Sequence, residues 1–189
     1  MELELISKRL LLRPLTESDV AWYSKMLTDS DVVRYIFPTT PLEIDVINKM
    51  PHFLKRGDGG RIGIWVIADR HSNSCLGSIF LLPLPIEDKT NWNQAADRIS
   101  PDCEIELGYT LTQASWGKGI ATEAANRLLK FVFEETSLTE VVAVIDPNNH
   151  ASRKVLVKAG FSEEGLRRAY GEELPAFRIN RDALRLINT

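Results

Sequence analysis

The stretch Gln113-Ala-Ser-Trp-Gly-Lys-Gly-Ile-Ala-Thr-Glu-Ala124 constrains the fold more than any other, because a polar turn with two glycines opens directly into the most regular helical pattern in the chain. Ala121, Ala124, Ala125, Leu128, Leu129 and Val132 fall on one stripe at the 3.6-residue period, with Thr122, Glu123, Asn126, Arg127 and Lys130 opposite. That spacing predicts an amphipathic helix. Upstream, Cys103 to Leu111 alternates well enough to predict a strand, so the local unit is strand, glycine turn, helix. The first turn of such a helix carries unpaired N–H groups and the positive end of the helix dipole, and glycines ahead of it let a bulky group approach the main chain. A phosphate suits that environment.

The remaining pattern predicts what this unit packs against. Arg9 to Arg13 is a short apolar run closed by Pro14 and predicts the first strand. Thr16-Glu-Ser-Asp19 has the form of a capping box, followed by Val20, Tyr23, Met26 and Leu27 at helical spacing. Asp31 to Phe37 predicts a short helical turn and then a loop. Thr40 as N-cap, Pro41 at the first helical position and Glu43 three residues after the cap predict a helix through Ile44, Ile47 and Met50, which Pro51 bends or ends. Ile62 to Ile67 and Cys75 to Leu82 predict a hairpin joined at Asp69 to Ser74. Glu140 to Ile145 is a continuous β-branched run of the kind buried on both faces. Asn148 or Asn149 then caps a helix with Ala151, Val155, Leu156 and Ala159 facing inward and Gly160 as its stop. Phe161 to Arg167 and Ala176 to Asn180 predict two closing strands. The expected fold is a single α/β (α+β) domain over residues 1–189, with one mixed, mostly antiparallel sheet of six to seven strands flanked by helices. The helical crossover makes the 103–111 and 140–145 strands parallel.

Pro83 to Asp102 is a polar insertion with three prolines and Trp92, longer than most loops in a compact domain. We expect it to form part of a binding pocket, Trp92 covering the bound group and Glu87, Asp88 and Asp97 attracting positive charge, unless it is disordered.

Net charge is −3, which gives no basic footprint for a nucleic acid partner. Cys75 and Cys103 are isolated inside apolar runs, predicting buried free thiols, and neither has metal-site spacing. The N-terminus lacks a positive leader region and no apolar run approaches the roughly 20 residues that span a bilayer, so a cytoplasmic location without a membrane partner is expected. His52, His71 and His150 form no local cluster.

Three motif types share the strand, glycine turn, helix outline. Gly117-Lys-Gly-Ile-Ala-Thr122 completes neither a Walker A loop nor a dinucleotide fingerprint. Trp116-x-x-Gly119-x-Ala121 resembles the third, the pyrophosphate loop of acyl-CoA-dependent N-acyltransferases, Gln/Arg-x-x-Gly-x-Gly/Ala, with a departure to Trp in the first slot. The longer Trp-Gly-Lys-Gly-x-Ala-Thr-Glu-Ala is similar to the variant found among ribosomal-protein N-terminal acetyltransferases. Asn149-His-Ala-Ser152, followed by Lys158, Gly160 and Phe161, resembles the next signature of that family, and Gly77 fits its second hairpin strand. The chain thus resembles the GNAT superfamily over nearly its full length.

That resemblance implies acetyl-CoA as donor substrate, no metal, and transfer of the acetyl group to a primary amine by direct attack in a ternary complex. The acceptor would be a protein N-terminus or a small molecule. A catalytically silent acyl-CoA-binding or regulatory module of the same fold is the alternative, and the chain would be a monomer or a homodimer. The pyrophosphate would rest on the N–H groups of Trp116, Gly117, Lys118, Gly119, Ile120, Ala121 and Thr122, with Lys118 adding charge. Backbone groups of Tyr109, Thr110 and Leu111 would pair with the pantetheine arm like an added strand, and Asn149 would reach its amides. Ser152 would protonate or hydrogen-bond the departing sulfur, or else bond only the first helical turn. Glu106 matches a position where the family places a carboxylate to take the amine proton; Glu104 is its alternative, and strand alternation puts both on one face.

Overall fold

The computed structural model describes residues 3–87 and 103–183, so the greater part of the 83–102 insertion, Trp92 included, lies outside the described residues. Thirteen helices and strands follow one another as β1 (Leu5–Ile6), β2 (Leu10–Pro14), α1 (Val20–Leu27), α2 (Ser30–Val33), α3 (Glu43–Phe53), β3 (Gly63–Asp69), β4 (Cys75–Pro83), β5 (Ile105–Leu111), α4 (Ile120–Glu135), β6 (Glu140–Val144), α5 (His150–Lys158), β7 (Ser162–Ala169) and β8 (Glu172–Asn180). Eight strands form one sheet in the order β1-β2-β3-β4-β5-β6-β8-β7. All neighbours are antiparallel except β5 and β6, as the helical crossover predicts.

The strand beyond the expected six to seven is β1. It pairs only Leu5 with Leu12 and Ile6 with Leu11, and a two-residue strand is too short to show alternation.

Each face of the sheet has its own core. The α4 stripe expected from the sequence is wholly buried: Ala124, Ala125, Leu128, Leu129 and Val132 have no exposed surface, and they pack with Leu12, Trp65, Ile67, Ile79, Leu107 and Phe177. Each large side chain so buried contributes about 1.5–3 kcal/mol. On the other face, Tyr23, Met26 and Leu27 of α1 and Val46 and Met50 of α3 pack on Ile64 and Val66, with Phe80 and Leu82 at the margin. The odd residues Leu107, Tyr109 and Leu111 of β5 therefore face α4, whereas Glu106, Gly108 and Thr110 share the face of Phe80 and Leu82, toward α1 and α3.

Several local expectations need correction. The N-cap of α3 is Leu42, not Thr40, and no side chain closes it. Glu43 does not fold back to residue 40; its carboxylate accepts a hydrogen bond from Ser24 of α1 at 3.0 Å, and the helix starts there. Pro51 lies inside α3, which runs on to Phe53. That helix buries Val46 and Met50, leaving Ile44 and Ile47 exposed. In α5, Leu156 and Ala159 are buried as expected, but Ala151 is exposed because it sits on the first turn beyond the edge of the core. Cys75 and Cys103 are not joined in a disulfide, and both are only partly buried. No helix among the described residues is long and apolar enough to cross a membrane.

Candidate active site

The register between β5 and β6 consists of a single pair, Glu106 with Val142, whereas β4 pairs with β5 from Pro83–Ile105 to Gly77–Leu111. Past Glu106 the two central strands part. The edge of β5 that carries residues 108–111 consequently borders an opening, with the glycine turn and α4 at one end and the start of α5 on its far side.

The glycine turn is built from its own main chain. Gln113–Ser115 forms a 3-10 turn, Ser115 is buried with its hydroxyl 2.9 Å from that of Thr112, and the Gln113 amide reaches the Asp29 and Asp31 carboxylates of the α2 start at 3.0–3.2 Å. Gly117 and Gly119 both have left-handed φ, 72° and 74°, a conformation that glycine adopts at least cost. Gly119 is the N-cap of α4, and no side chain among the described residues caps that end. The N–H groups of Ile120, Ala121 and Thr122 thus start a 16-residue helix with its positive dipole end at the turn. Lys118 is exposed, and so is Trp116, whose indole donates to the Leu111 carbonyl at 2.9 Å. That carbonyl of β5 already accepts one bond.

Arg9 joins this turn, a residue that sequence reasoning passed over. Its main-chain N–H donates to Glu123 at 2.8 Å, its Nε to the same carboxylate at 2.6 Å, and its Nη1 to the Lys118 carbonyl at 3.0 Å. Ser7 adds a bond to Glu123 at 2.8 Å. The connection between β1 and β2 and the first turn of α4 are thereby tied together, and a guanidinium is held beside Gly119. The signal available was a charge at the head of an apolar run, where the core has no use for it.

Across the opening, the Tyr109 and Ser152 hydroxyls lie 2.8 Å apart, and Asn149 caps α5 by accepting from the Ser152 N–H at 3.0 Å. Burial pushes the Tyr109 phenol up to about 12, with the Ser152 bond acting the other way. It is therefore a neutral O–H donor throughout the physiological range. Thr110 is buried and hydrogen-bonded into the ladder beside Ser78.

The structure separates the two carboxylates that alternation left equivalent. Glu104 lies outside β5 and binds Arg167 at 2.6 Å and Arg178 at 2.9 Å. Burial alone would raise its pKa, but those two guanidinium groups outweigh it and hold the carboxyl below its usual range. Glu106 is 4% exposed. Burial pushes it up to about 7, against the opposing hydrogen bonds from the Tyr170 hydroxyl and the Val144 N–H. Tyr170 donates to Glu106 Oε2 at 2.5 Å. On the same side, Phe80 covers Gly108 so closely that a Cβ there would lie 2.1 Å from the ring. A buried carboxylate, Glu106, thus lies on the α1 and α3 face of β5, and a hydroxyl pair, Tyr109 and Ser152, on the α4 and α5 face. Among the described residues no three His, Cys, Asp or Glu side chains converge as a metal would require.

Residues 9–162 match the family model described as an acetyltransferase (GNAT) domain. The chain is similar to the Bacillus subtilis (strain 168) protein YkkB, 27% identical over 159 residues that make up 83% of this chain and 84% of that one. It is also similar to the uncharacterized N-acetyltransferase p20 of Bacillus licheniformis, 26% identical over 170 residues, 88% and 86% of the two chains. Among solved structures, a GNAT-family acetyltransferase from Bacillus anthracis shares the fold with a TM-score of 0.73 and 22% identity, over 95% of this chain and 99% of that one. The enzyme AAC(6')-Ib, solved with Parmomycin and AcetylCoA, does so with a TM-score of 0.74 and 17% identity, over 96% and 99%. With the family model spanning most of its length, the chain belongs to the GNAT acetyltransferase family.

Proposed function

We propose that the protein transfers an acetyl group from acetyl-CoA to a primary amine, on a protein N-terminus or a small molecule, by direct attack in a ternary complex. The observation that carries this reading is the placement of a buried carboxylate, Glu106, and a hydroxyl pair, Tyr109 and Ser152, on opposite faces of β5 beside its opening toward β6. The aminoglycoside acetyltransferase AAC(6')-Ib, solved with Parmomycin and AcetylCoA, has the same fold, which is compatible with this reading.

In this reading the donor's pyrophosphate lies on the N–H groups of the turn from Trp116 to Thr122, where the dipole of α4 and the Arg9 guanidinium favour negative charge. The pantetheine arm follows the free edge of β5 at Tyr109, Thr110 and Leu111, within reach of Asn149. Such a donor arrives with its thioester at the opening.

The acceptor enters from the α1 and α3 face as an ammonium and must lose a proton before it can attack. Glu106 takes that proton directly or through one water. A carboxyl that titrates near 7 is matched to the task, since it is partly ionised at neutral pH yet basic enough to bind the proton. The amine lone pair forms the C–N bond at the carbonyl carbon, the C–S bond breaks, and the sulfur leaves toward the other face. Ser152, backed by Tyr109, donates a proton to the thiolate. The products are the acetamide and free CoA thiol. Orientation across the gap supplies much of the rate. Release of CoA thiol with a mixed panel of amines and N-terminal peptides tests the proposal: turnover with at least one amine is expected, and donor binding without thiol release across the panel would favour a silent acyl-CoA-binding module.

A further inference from the structure

Tyr170 occupies a place that suits its backbone poorly. The hairpin joining β7 and β8 closes with Ala169 opposite Glu172, so its turn holds only Tyr170 and Gly171, both with left-handed φ, 53° and 76°. Such two-residue turns favour Asn, Asp or Gly, and a bulky side chain at the first position carries a conformational cost. Violations of a local rule concentrate where function requires them.

The tip is also held from outside its own strands. β6 ends at Val144, opposite Ala176, so the hairpin from Ala169 to Glu172 extends past the end of β6 toward β5. There the Tyr170 N–H donates to the Pro85 carbonyl and the Gly171 N–H to the Ile86 carbonyl, each at 3.0 Å, and Arg168 pairs with Glu87 at 3.1 Å. These attachments aim one phenol at one buried carboxylate. Among the described residues, the strand positions flanking Glu106 carry no ion to compete with it: Leu82 stands opposite on β4 and Val142 on β6. Beyond Val142 in the same row is Arg178, which Glu104, Glu140 and Glu164 engage; Arg167 is taken by Glu104.

We propose that Tyr170 is a positioning residue for acetyl transfer, holding the Glu106 carboxylate, with the Val144 N–H as its other partner, so that a remaining lone pair is presented to the amine. This rests on the reading of Glu106 as the base. Burial and the adjacent carboxylate push the Tyr170 phenol far up, so its proton stays on the phenol while the amine's proton goes to Glu106.

The test combines a direct titration with kinetics. In Tyr170→Phe, the Glu106 midpoint read from carboxyl carbon NMR shifts should rise by about one pH unit, because a hydrogen bond to the charged form is lost. The acid limb of kcat/KM should move with it, kcat at pH 7 falling roughly fivefold with KM for acetyl-CoA unchanged. Tyr170→Asn, whose side chain suits the turn, should raise Tm and move the limb in the same direction. A fall in rate that is equal at every pH in Tyr170→Phe, or its restoration in Tyr170→Asn, would mark Tyr170 as scaffold and overturn the proposal. Glu106→Gln separates the two readings. Adding Tyr170→Phe to it should cost nothing more; if Glu106→Gln alone matches the parent at every pH, the base assignment fails and the Tyr170 role with it. A crippled Glu106→Gln with an unmoved midpoint in Tyr170→Phe removes only the Tyr170 role.

Discussion

The Tyr109 hydroxyl, on the middle strand of the sheet, lies 2.8 Å from the Ser152 hydroxyl, on the first turn of α5, and so links the two elements that border the opening beside β5. Either group can donate to the other, so they form one proton-donating unit. If that unit protonates the leaving thiolate, Ser152→Ala and Tyr109→Phe should each lower kcat by about a hundredfold, the range typical of general acid catalysis. The double variant should be little worse than the more damaged single one, because groups acting as a unit are not additive. Steady-state kinetics with Kd for acetyl-CoA measured in parallel decides it, and fully multiplicative losses would argue that the two act separately.

Asp19 anchors the start of α1 and gives a stability test independent of the chemistry. Its carboxylate is 4% exposed, receives both guanidinium arms of Arg13 at 2.7 and 2.8 Å, and accepts from the Thr16 N–H and hydroxyl at 2.9 Å. Asp19→Ala strands a half-buried guanidinium and opens the capping box, so a loss of about 2–3 kcal/mol is expected in urea unfolding. Burial pushes the Asp19 carboxyl up, but Arg13 and Thr16 outweigh it, and the net shift is downward. A depressed carboxyl contributes stability that is present above its unfolded value and lost as pH falls through the folded one. The difference between parent and variant should therefore close below about pH 4.

Much of this fold was legible in the chain. The α4 stripe is periodic over enough residues that packing and pattern agree, the β3–β4 hairpin and β6 are marked by unbroken apolar runs, and the two signatures occur in an order that leaves one parallel crossover between them. What escaped was tertiary. Nothing local distinguishes Glu104 from Glu106, since their difference lies in Arg167 and Arg178, contributed by strands far along the chain. Thr40 lost the cap of α3 to a contact between Glu43 and Ser24, a pairing that only helix packing creates. Tyr170 was hidden differently: it fell in the stretch left unassigned between the 161–167 and 176–180 strands, and Tyr-Gly lacks the Asn-Gly or Asp-Gly chemistry that marks a two-residue hairpin turn.

Glu106 predicts a stability trade-off. Its carboxyl is raised by burial to about 7, so between the ordinary carboxylate range and pH 7 the folded protein holds a proton that the unfolded chain has released. Stability is therefore lost as pH rises through that window and is constant above it. Glu106→Gln keeps an acceptor for the Tyr170 hydroxyl without the charge. The variant should gain on the parent by about 2–3 kcal/mol between pH 4.5 and 8 while losing most of its turnover. Thermal unfolding across that range checks it, and parallel curves for the two proteins would show that Glu106 titrates in the folded state as it does in the unfolded one.

Gly119 tests the donor site most directly, because fold and binding make opposite demands on it. The residue has left-handed φ, and a Cβ there would meet nothing nearer than Arg9 Nη2 at 3.6 Å. Asp tolerates that conformation better than most residues, and a negative charge at a helix N-terminus is favourable, so Gly119→Asp should fold with a Tm close to the parent's. The same charge would stand where the pyrophosphate is expected and would draw the Arg9 guanidinium toward itself. Calorimetry should show acetyl-CoA binding weakened by at least about tenfold, as unscreened like charges at close range imply, while the nearly isosteric Gly119→Asn loses far less. Turnover of acetyl-pantetheine, which has no phosphates, should be the same in the parent and in Gly119→Asp. Equal losses with both donors would mean that the turn shapes the opening rather than binding phosphate, and unchanged acetyl-CoA affinity would remove the pyrophosphate from this turn altogether.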